Sequence, residues 1–228
     1  MPIDYKLCSF NCVYCHYGHT DILTTDARDY LKDLPSTERV LVEIEKAMRS
    51  SVKFDYITFS GNGEPTLHPD FSEIVEGITD LRKKNCPYTK IALLSNSSGL
   101  RMKGVKESLS LIDLPIFKLD AGNTEMFKKI NRPANGIDFD EINESLSQVE
   151  GIYIQTVLMR GDPCNAEDKE LRTYFKKIAM IKPIEVQIYS LDRPVPNSKI
   201  TRILPKELES IARLGSRETD IGFRAYYL

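Results

Sequence analysis

Residues 8–15 read Cys-Ser-Phe-Asn-Cys-Val-Tyr-Cys, directly after a short β-rich run, Ile3–Leu7, that predicts a first strand. The cysteines have the spacing Cys-x3-Cys-x2-Cys, and the polar residues around them are typical of a loop rather than a core strand. Two further cysteines, Cys86 and Cys164, are far from this group and from each other. The odd cysteine count and the absence of an apolar signal segment before Cys8 disfavour export and a disulfide framework. We therefore expect a cytoplasmic protein with a metal site in this loop.

Beyond the cysteine loop, short β-rich runs alternate with stretches of helical character. The later predicted strands are rich in Ile, Val, Tyr, Phe and Leu, and they cover Tyr56–Ser60, Lys90–Ser95, Ile116–Asp120, Ile152–Met159 and Glu185–Tyr189. The predicted helices show apolar residues at helical spacing or capping residues at their ends, and they cover Ser36–Met48, Phe71–Lys84, Lys103–Leu111, Phe139–Val149, Glu167–Ile181 and Lys206–Leu214. The last of them is predicted to start after Pro205 and to end before Gly215.

This alternation indicates parallel strands joined by crossover helices. A complete eight-unit β/α barrel takes about 250 residues, so six units need about 190, which fits a chain of 228 residues. We therefore predict an α/β fold, an incomplete (β/α)6 TIM-like barrel with parallel strands, in a single domain over residues 1–228. The pattern leaves an open doubly wound sheet as the alternative.

Composition and charge exclude some classes of function. Apolar residues make up 41% of the chain and charged residues 28%, as in ordinary globular proteins. The longest apolar runs are too short to cross a membrane. The net charge of −2 gives no overall basic field for nucleic acid.

Two metal sites are compatible with the cysteine loop at residues 8–19. Three thiolates can hold three irons of a 4Fe–4S cluster, which normally has four cysteine ligands, and so leave one iron open to a substrate or cofactor. With His19, the same cysteines make a Cys3His set suited to structural zinc. The loop alone does not decide between them.

A second motif, Ser-Gly-Asn-Gly-Glu-Pro at residues 60–65, ends the second predicted strand. Its two glycines allow the backbone to approach a ligand closely, and Glu64 followed by Pro65 predicts a polar, rigid turn. In a β/α barrel this turn and the cysteine loop share the rim that carries the chemistry. A structural zinc loop explains neither the turn nor the barrel, so the combination favours the iron–sulfur cluster.

The cysteine spacing with Tyr14 before the last cysteine, followed by the Gly-Glu-Pro turn, resembles the radical S-adenosylmethionine (SAM) superfamily. The resemblance covers nearly the whole chain, so residues 1–228 are expected to be a single radical SAM domain. Within the superfamily the chain is most similar to the wyosine-synthetase-related group, in the stretches Cys8–Cys15, Tyr56–Leu67, Leu119–Ala121, Ile130–Pro133 and Asp192–Pro194. Two features depart from wyosine synthetase itself. Its second cysteine set is missing, and the chain starts almost on the first strand, as expected of a compact relative or a shortened N-terminus.

The resemblance implies that Cys8, Cys12 and Cys15 ligate a 4Fe–4S cluster whose open iron binds SAM. It implies reductive cleavage of SAM to a 5′-deoxyadenosyl radical, which abstracts hydrogen from a tRNA nucleoside, a peptide or a small metabolite. A reductant such as ferredoxin or flavodoxin would supply the electron. The non-enzymatic alternative is a zinc-binding interaction module that uses the three cysteines and His19.

The remaining candidate residues follow the predicted strands. Those expected to contact the cofactor are Tyr14, Gly63, Glu64, Asn96, Asp120 and Gln155, although turn or barrel-packing roles also suit several of them. Arg132 and Arg193, after the fourth and sixth strands, are candidates for a substrate phosphate or carboxylate, with a salt bridge at the rim as the alternative. Cys164 is a candidate hydrogen donor to a substrate radical, or a spectator.

Overall fold

The structure, a computed structural model, describes residues 4–227. Its strands are β1 (Leu7–Cys8), β2 (Ile22–Leu23), β3 (Tyr56–Phe59), β4 (Lys90–Ser95), β5 (Leu114–Lys118), β6 (Tyr153–Val157), β7 (Met159–Gly161), β8 (Glu185–Tyr189), β9 (Ile200–Arg202) and β10 (Gly222–Tyr226). Its helices are α1 (Thr37–Met48), α2 (Phe71–Asn85), α3 (Lys103–Ser108), α4 (Thr124–Asn131), α5 (Phe139–Ser147), α6 (Asp168–Ile181) and α7 (Pro205–Thr219). Short 3-10 turns lie at Arg28–Tyr30, Pro65–Leu67, Ser98–Arg101 and Leu109–Leu111.

The central sheet has the strand order β3-β4-β5-β6-β8-β10, and every neighbouring pair is parallel. The order follows the chain without a reversal, whereas a doubly wound sheet reverses its order at a switch point. The doubly wound alternative is therefore wrong, and the predicted incomplete TIM-like barrel is confirmed. β3 and β10 form the two edges of this open barrel.

Helices cover the sheet through their apolar faces, and β4 between them is apolar on both faces, with Ala92 buried on one face and Ile91 and Leu93 on the other. β4 buries Ile91 and Leu93 completely, as expected for a parallel strand packed on both sides. α2 buries Phe71, Ile74 and Val75 on one helical face. Each such side chain contributes about 1.5–3 kcal/mol on burial, so this core fixes the rim on which the strands end.

The prediction differs from the structure at the first and last strands, and it lacks the short strands β2, β7 and β9. The first strand is β1 rather than Ile3–Leu7, although Ile3 itself lies outside the described residues. β1 pairs with β2. Its contact with the edge of the central sheet is a single bridge from Leu7 to Gly63, in the turn after β3. Gly61 and Gly63, which follow β3, both have φ of +135°, so the turn that contacts β1 is not in strand geometry. The sixth strand of the sheet is instead β10, which the prediction missed.

Two helices differ as well. The sequence prediction lacked α4, which begins at an Asn123 cap whose side chain accepts a hydrogen bond from the Met126 N–H. The last helix does not end before Gly215 but continues to Thr219, and Asp220 takes the left-handed C-cap conformation with φ of +61°. Gly215 has a packing role, because a Cβ there would lie 2.7 Å from the Phe223 ring.

None of the helices in the described part of the chain combines the length and the apolar character needed to cross a bilayer.

Candidate cofactor site

The cysteine loop is clamped on both sides by backbone hydrogen bonds. On one side the Glu64 N–H donates to the Leu7 carbonyl at 3.2 Å. On the other side the Asn11 N–H donates to the Asn131 carbonyl at 3.0 Å, and the Val13 N–H donates to the Ile130 carbonyl at 2.9 Å. The loop is therefore held between the turn at residues 60–65 and the end of α4, at the carboxyl ends of the parallel strands.

The three cysteines are sheltered from solvent. Cys8 is buried and Cys12 and Cys15 are half-buried. Burial, with a smaller effect of the Glu64 carboxylate, raises the pKa of Cys8 to about 12. Burial, with a smaller effect of Asp120, raises the pKa of Cys12 to about 12. A metal bound here must displace thiol protons, which couples metal binding to deprotonation.

The zinc alternative requires Cys8, Cys12, Cys15 and His19 to converge on a single ion. Within residues 4–227, no three or more His, Cys, Asp and Glu side chains converge on one point as the ligands of one metal ion must. Ligands of a cubane cluster bind different irons and need no common point. His19, the fourth ligand of the zinc alternative, is exposed.

All three cysteines line one cavity of about 220 Å³. Four of the predicted cofactor residues line it with them, and these are Tyr14, Gly63, Glu64 and Asn96. The remaining lining includes Lys118, Tyr189 and Arg193. The structure thus brings the cysteine loop and the Gly-Glu-Pro turn together around one space.

Glu64 is buried, and its carboxylate is occupied by neighbouring donors. Oε1 accepts from the Thr66 N–H at 3.1 Å, the Thr66 hydroxyl at 2.6 Å and the Ser95 hydroxyl at 2.8 Å. Oε2 accepts from the Asn96 N–H at 2.6 Å. Burial raises the pKa of Glu64, while these donors lower it, and the net direction is upward. The carboxylate thereby caps the turn at Pro65–Leu67 and ties it to the end of β4.

Asn96 points its amide at the cysteine loop. Its Nδ2 lies 2.8 Å from the Ser9 hydroxyl oxygen and 3.5 Å from Cys8 Sγ. Its Oδ1 accepts from the Ser98 N–H at 3.0 Å. The side chain therefore fixes the first cysteine of the trio from the neighbouring strand end.

Asp120 is fully buried beneath the cavity and joins three segments. Oδ2 accepts from the Tyr14 hydroxyl at 2.5 Å and from Asn131 Nδ2 at 2.8 Å. Oδ1 accepts from the Val157 N–H at 2.9 Å. Burial and the Asp120 charge raise the pKa of Tyr14 well above its usual value, so its hydroxyl remains a donor. The carboxylate holds the cysteine loop, α4 and β6 together.

The sequence analysis missed Lys118, whose ammonium group faces the cavity. Nζ lies 3.2 Å from Asp120 Oδ1 and 3.1 Å from the Tyr189 hydroxyl, and 5.2 Å and 4.7 Å from the ring centres of Tyr14 and Tyr189. Burial alone would lower the pKa of Lys118, but Asp120 and Tyr189 outweigh it and raise the pKa to about 12. A permanently charged lysine suits the binding of an anion rather than nucleophilic attack. Its position two residues before Asp120 in the predicted strand Ile116–Asp120, on the same face, was the available sequence signal.

A second, larger cavity of about 560 Å³ adjoins the first. The two share His16, Tyr189, Asp192 and Arg193. Gln155 lines the second cavity rather than the cysteine cavity, and its Nε2 donates to Gln187 Oε1 at 3.3 Å. The lining of this cavity is polar or aromatic throughout, which suits a ligand with many hydrogen-bonding groups.

Three predicted residues line neither cavity, and these are Asp120, described above, Arg132 and Cys164. Arg132 is exposed, with left-handed backbone at the C-cap of α4, while its carbonyl accepts from the Asn11 N–H at 3.1 Å. Cys164 is half-buried in the loop that follows β7 and lines neither cavity. Arg193, by contrast, lines both, and it makes no ion pair with any residue among 4–227.

The sequence model of the radical SAM superfamily matches residues 3–163, which is more than half of the chain. This protein belongs to the radical SAM superfamily. It is therefore an enzyme of this class, and the non-enzymatic zinc module is set aside. Radical SAM enzymes use a 4Fe–4S cluster and SAM, and they need an external reductant.

Relatives of this radical SAM protein extend along nearly all of it. The UPF0026 protein of Synechocystis is 33% identical over 207 residues, which cover 89% of this chain and 70% of that protein. A Brachyspira hyodysenteriae protein named GTPase Obg is 32% identical over 211 residues, which cover 91% of this chain and 30% of that protein. Across these two relatives, the chain spans between 30% and 70% of the relative's own length.

Solved radical SAM structures share the fold at low sequence identity. A radical SAM methyltransferase from Sphaerobacter thermophilus has a TM-score of 0.69 at 14% identity and covers 97% of this chain and 63% of its own. The structure of TYW1 with a lysine-pyruvate adduct bound has a TM-score of 0.64 at 14% identity, and covers 95% of this chain and 72% of its own.

Proposed function

We propose that Cys8, Cys12 and Cys15 ligate the 4Fe–4S cluster of this radical SAM enzyme and that SAM occupies the cavity they line. The observation that carries the proposal is the junction of the two cavities, since the cysteines line one space and that space opens into a larger polar one. When bound, the cluster and SAM supply a 5′-deoxyadenosyl radical that abstracts hydrogen from the substrate. The chain would carry this chemistry in a single domain.

The residues of the smaller cavity have distinct roles in this proposal. Gly63, with no side chain, leaves its backbone open to the methionine part of SAM. Glu64 supports that backbone from below through its four accepted hydrogen bonds. Asn96 is the candidate for the ribose, and Asp120 acts by holding Tyr14 against the cavity wall. Lys118 contributes a fixed positive charge that would face a carboxylate.

We propose that the substrate enters the larger cavity, where Gln155, Gln187 and Arg193 would bind it. Its polar lining and the net charge of −2 favour a small polar metabolite or a peptide segment over a large polyanion. A tRNA nucleoside is the competing substrate, favoured by the similarity to wyosine synthetase. Ferredoxin or flavodoxin in the cytoplasm is the proposed reductant.

The deciding experiment is cofactor cleavage. Protein reconstituted with iron and sulfide without oxygen, then reduced with dithionite and given SAM, should release 5′-deoxyadenosine, detected by mass spectrometry. Cys12→Ser should abolish this release and lower the bound iron, because the remaining thiolates cannot hold the cluster with its open iron.

Cys86→Ser and Cys164→Ser are the matched controls, since neither residue lines the cavity. Both variants should retain the cluster and the cleavage. Normal cleavage by Cys12→Ser, or none from wild-type protein with a full cluster, contradicts the proposal.

A further inference from the structure

Two of the three cysteine sulfurs receive hydrogen bonds from asparagine side chains. Asn96 Nδ2 donates to Cys8 Sγ at 3.5 Å, and Asn131 Nδ2 donates to Cys12 Sγ at 3.5 Å. The Phe10 N–H adds a backbone donor to Cys8 Sγ at 3.4 Å. Two amides from separate elements of the barrel, the end of β4 and the end of α4, thus converge on neighbouring members of the trio.

The orientation of the Asn131 amide is fixed by its surroundings. Asn131 is 2% exposed, and its Nδ2 also donates to Asp120 Oδ2 at 2.8 Å. Rotating the amide by half a turn would place Oδ1 against a carboxylate oxygen and a sulfur, and both are acceptors. The donor therefore must face Cys12.

This orientation has a cost. Asn131 Oδ1 is buried and has no hydrogen-bond partner in the described part of the chain. Unpartnered buried acceptors are rare because burial removes their water. The two hydrogen bonds that Asn131 Nδ2 donates, to Cys12 and to Asp120, therefore contribute more than a partner for Oδ1 would.

We infer that Asn131, supported by Asn96, raises the reduction potential of the cluster, an inference that rests on the proposed ligation by Cys12 and Cys8. On reduction the external reductant loses one electron and the cluster gains it, so negative charge on the cysteine sulfurs increases. An N–H donor stabilises that charge and favours the reduced state. Asn131 is then a positioning residue that sets how strong a reductant the enzyme requires.

The test uses the reconstituted holoenzyme and follows the cluster by electron paramagnetic resonance during a redox titration. Asn131→Leu, which is similar in size but has no donor, should shift the midpoint potential to a more negative value. In wild-type protein the reduced cluster should show a proton coupling that disappears after exchange into D₂O, and this coupling should be weakened in Asn131→Leu.

Tyr14→Phe is the matched control. It removes a hydrogen bond to the same Asp120 carboxylate but no donor to sulfur. A loosened Asp120 network would shift the potential in both variants, whereas loss of the sulfur donor shifts it only in Asn131→Leu. Equal shifts in both variants overturn the inference.

Asn96→Leu provides a second variant if Asn131→Leu fails to load iron, and it should shift the potential in the same direction through Cys8. An unchanged potential in the loaded variants, or no exchangeable coupling in wild-type protein, rules the inference out. Failure of the ligation itself would be distinguishable, because Cys12→Ser protein would then still hold a normal cluster.

Discussion

Individual residues at the rim have two roles, since some offer a free polar group to the cavity and others, even where they line it, hold their neighbours in place. Lys118 belongs to the first kind, and its charge is maintained by Asp120 and Tyr189. Glu64 and Asp120 belong to the second kind, because neighbouring donors occupy both of their carboxylates. The acidic residues therefore serve mainly to fix geometry.

Replacing Lys118 with methionine tests the buried ion pair. Breaking a buried pair costs about 3 kcal/mol or more, so Lys118→Met should lower the free energy of unfolding of the cluster-free protein by about that amount. The pKa of Lys118 is raised to about 12 in the folded state. Its contribution is therefore complete below its unfolded pKa of about 10.4 and is lost as the pH rises through the folded value.

Urea titrations of wild type and Lys118→Met should then differ by a constant amount from about pH 6 to about pH 9, and the difference should shrink above about pH 10. Lys83→Met, an exposed lysine of α2, is the control and should change stability by less than about 0.5 kcal/mol. A difference that grows with pH contradicts this account.

The sequence predicts some of these residues and misses others for a physical reason. Cys8, Cys12, Cys15 and the Gly63-Glu64 turn are local patterns, so spacing along the chain is enough to find them. Asn131 touches Cys12 only because α4 folds back onto the cysteine loop. That contact joins residues far apart in the chain, and no local pattern reports it.

At the scale of elements, close approaches between backbones fix how the rim is assembled. Gly122 follows β5 and lies against α6, where a Cβ would be 2.2 Å from the Tyr174 nitrogen. The obstacle is backbone, which cannot move aside as a flexible side chain can. The same region contains the Asp120 carboxylate, so a shift here would reach the cofactor site.

Gly122→Ala should therefore destabilise the protein by about 3 kcal/mol, at the upper end for overpacking, and should lower iron loading. Gly222→Ala is the matched control, because a Cβ there meets nothing within 4 Å. The control should leave the melting temperature nearly unchanged. Equal melting temperatures for the two variants in thermal unfolding would show that the contact with α6 is not tight.

Element boundaries show where sequence rules reach their limit. A glycine after an apolar helical pattern usually marks a helix end, and this rule failed at Gly215 because the residue is needed inside α7 to admit Phe223. α4 was missed because it has only eight residues, although its Met126, Phe127 and Ile130 have the spacing of an apolar helical face.

At the scale of the molecule, the alternation of strands and helices in the sequence predicts the fold class. The order of the strands in the sheet is known only from the structure. The pattern could not separate a barrel from a doubly wound sheet, since both are built from the same units. It also missed β10, which pairs with β8 at the edge of the sheet.

The net charge of the whole molecule predicts how strongly it binds RNA. With a net charge of −2, we expect weak binding of unmodified tRNA. Each phosphate contact changes log affinity by about 0.7–0.9 per log unit of salt, and we expect a slope equivalent to about one or two contacts. Filter binding across a range of salt concentrations measures it. A slope of about four contacts or more, with tight binding, would instead favour a tRNA substrate.

The clamp on the cysteine loop has a consequence for how the enzyme survives air. Backbone hydrogen bonds from residues 11, 13 and 64 fix the loop to the barrel. In small zinc domains the metal supplies the folding energy, so removing it unfolds the chain. Here the binding energy of the iron need not be spent on ordering the loop. We expect damage by oxygen to leave an intact, empty scaffold that can be refilled, so that repair of the cluster replaces synthesis of a new protein.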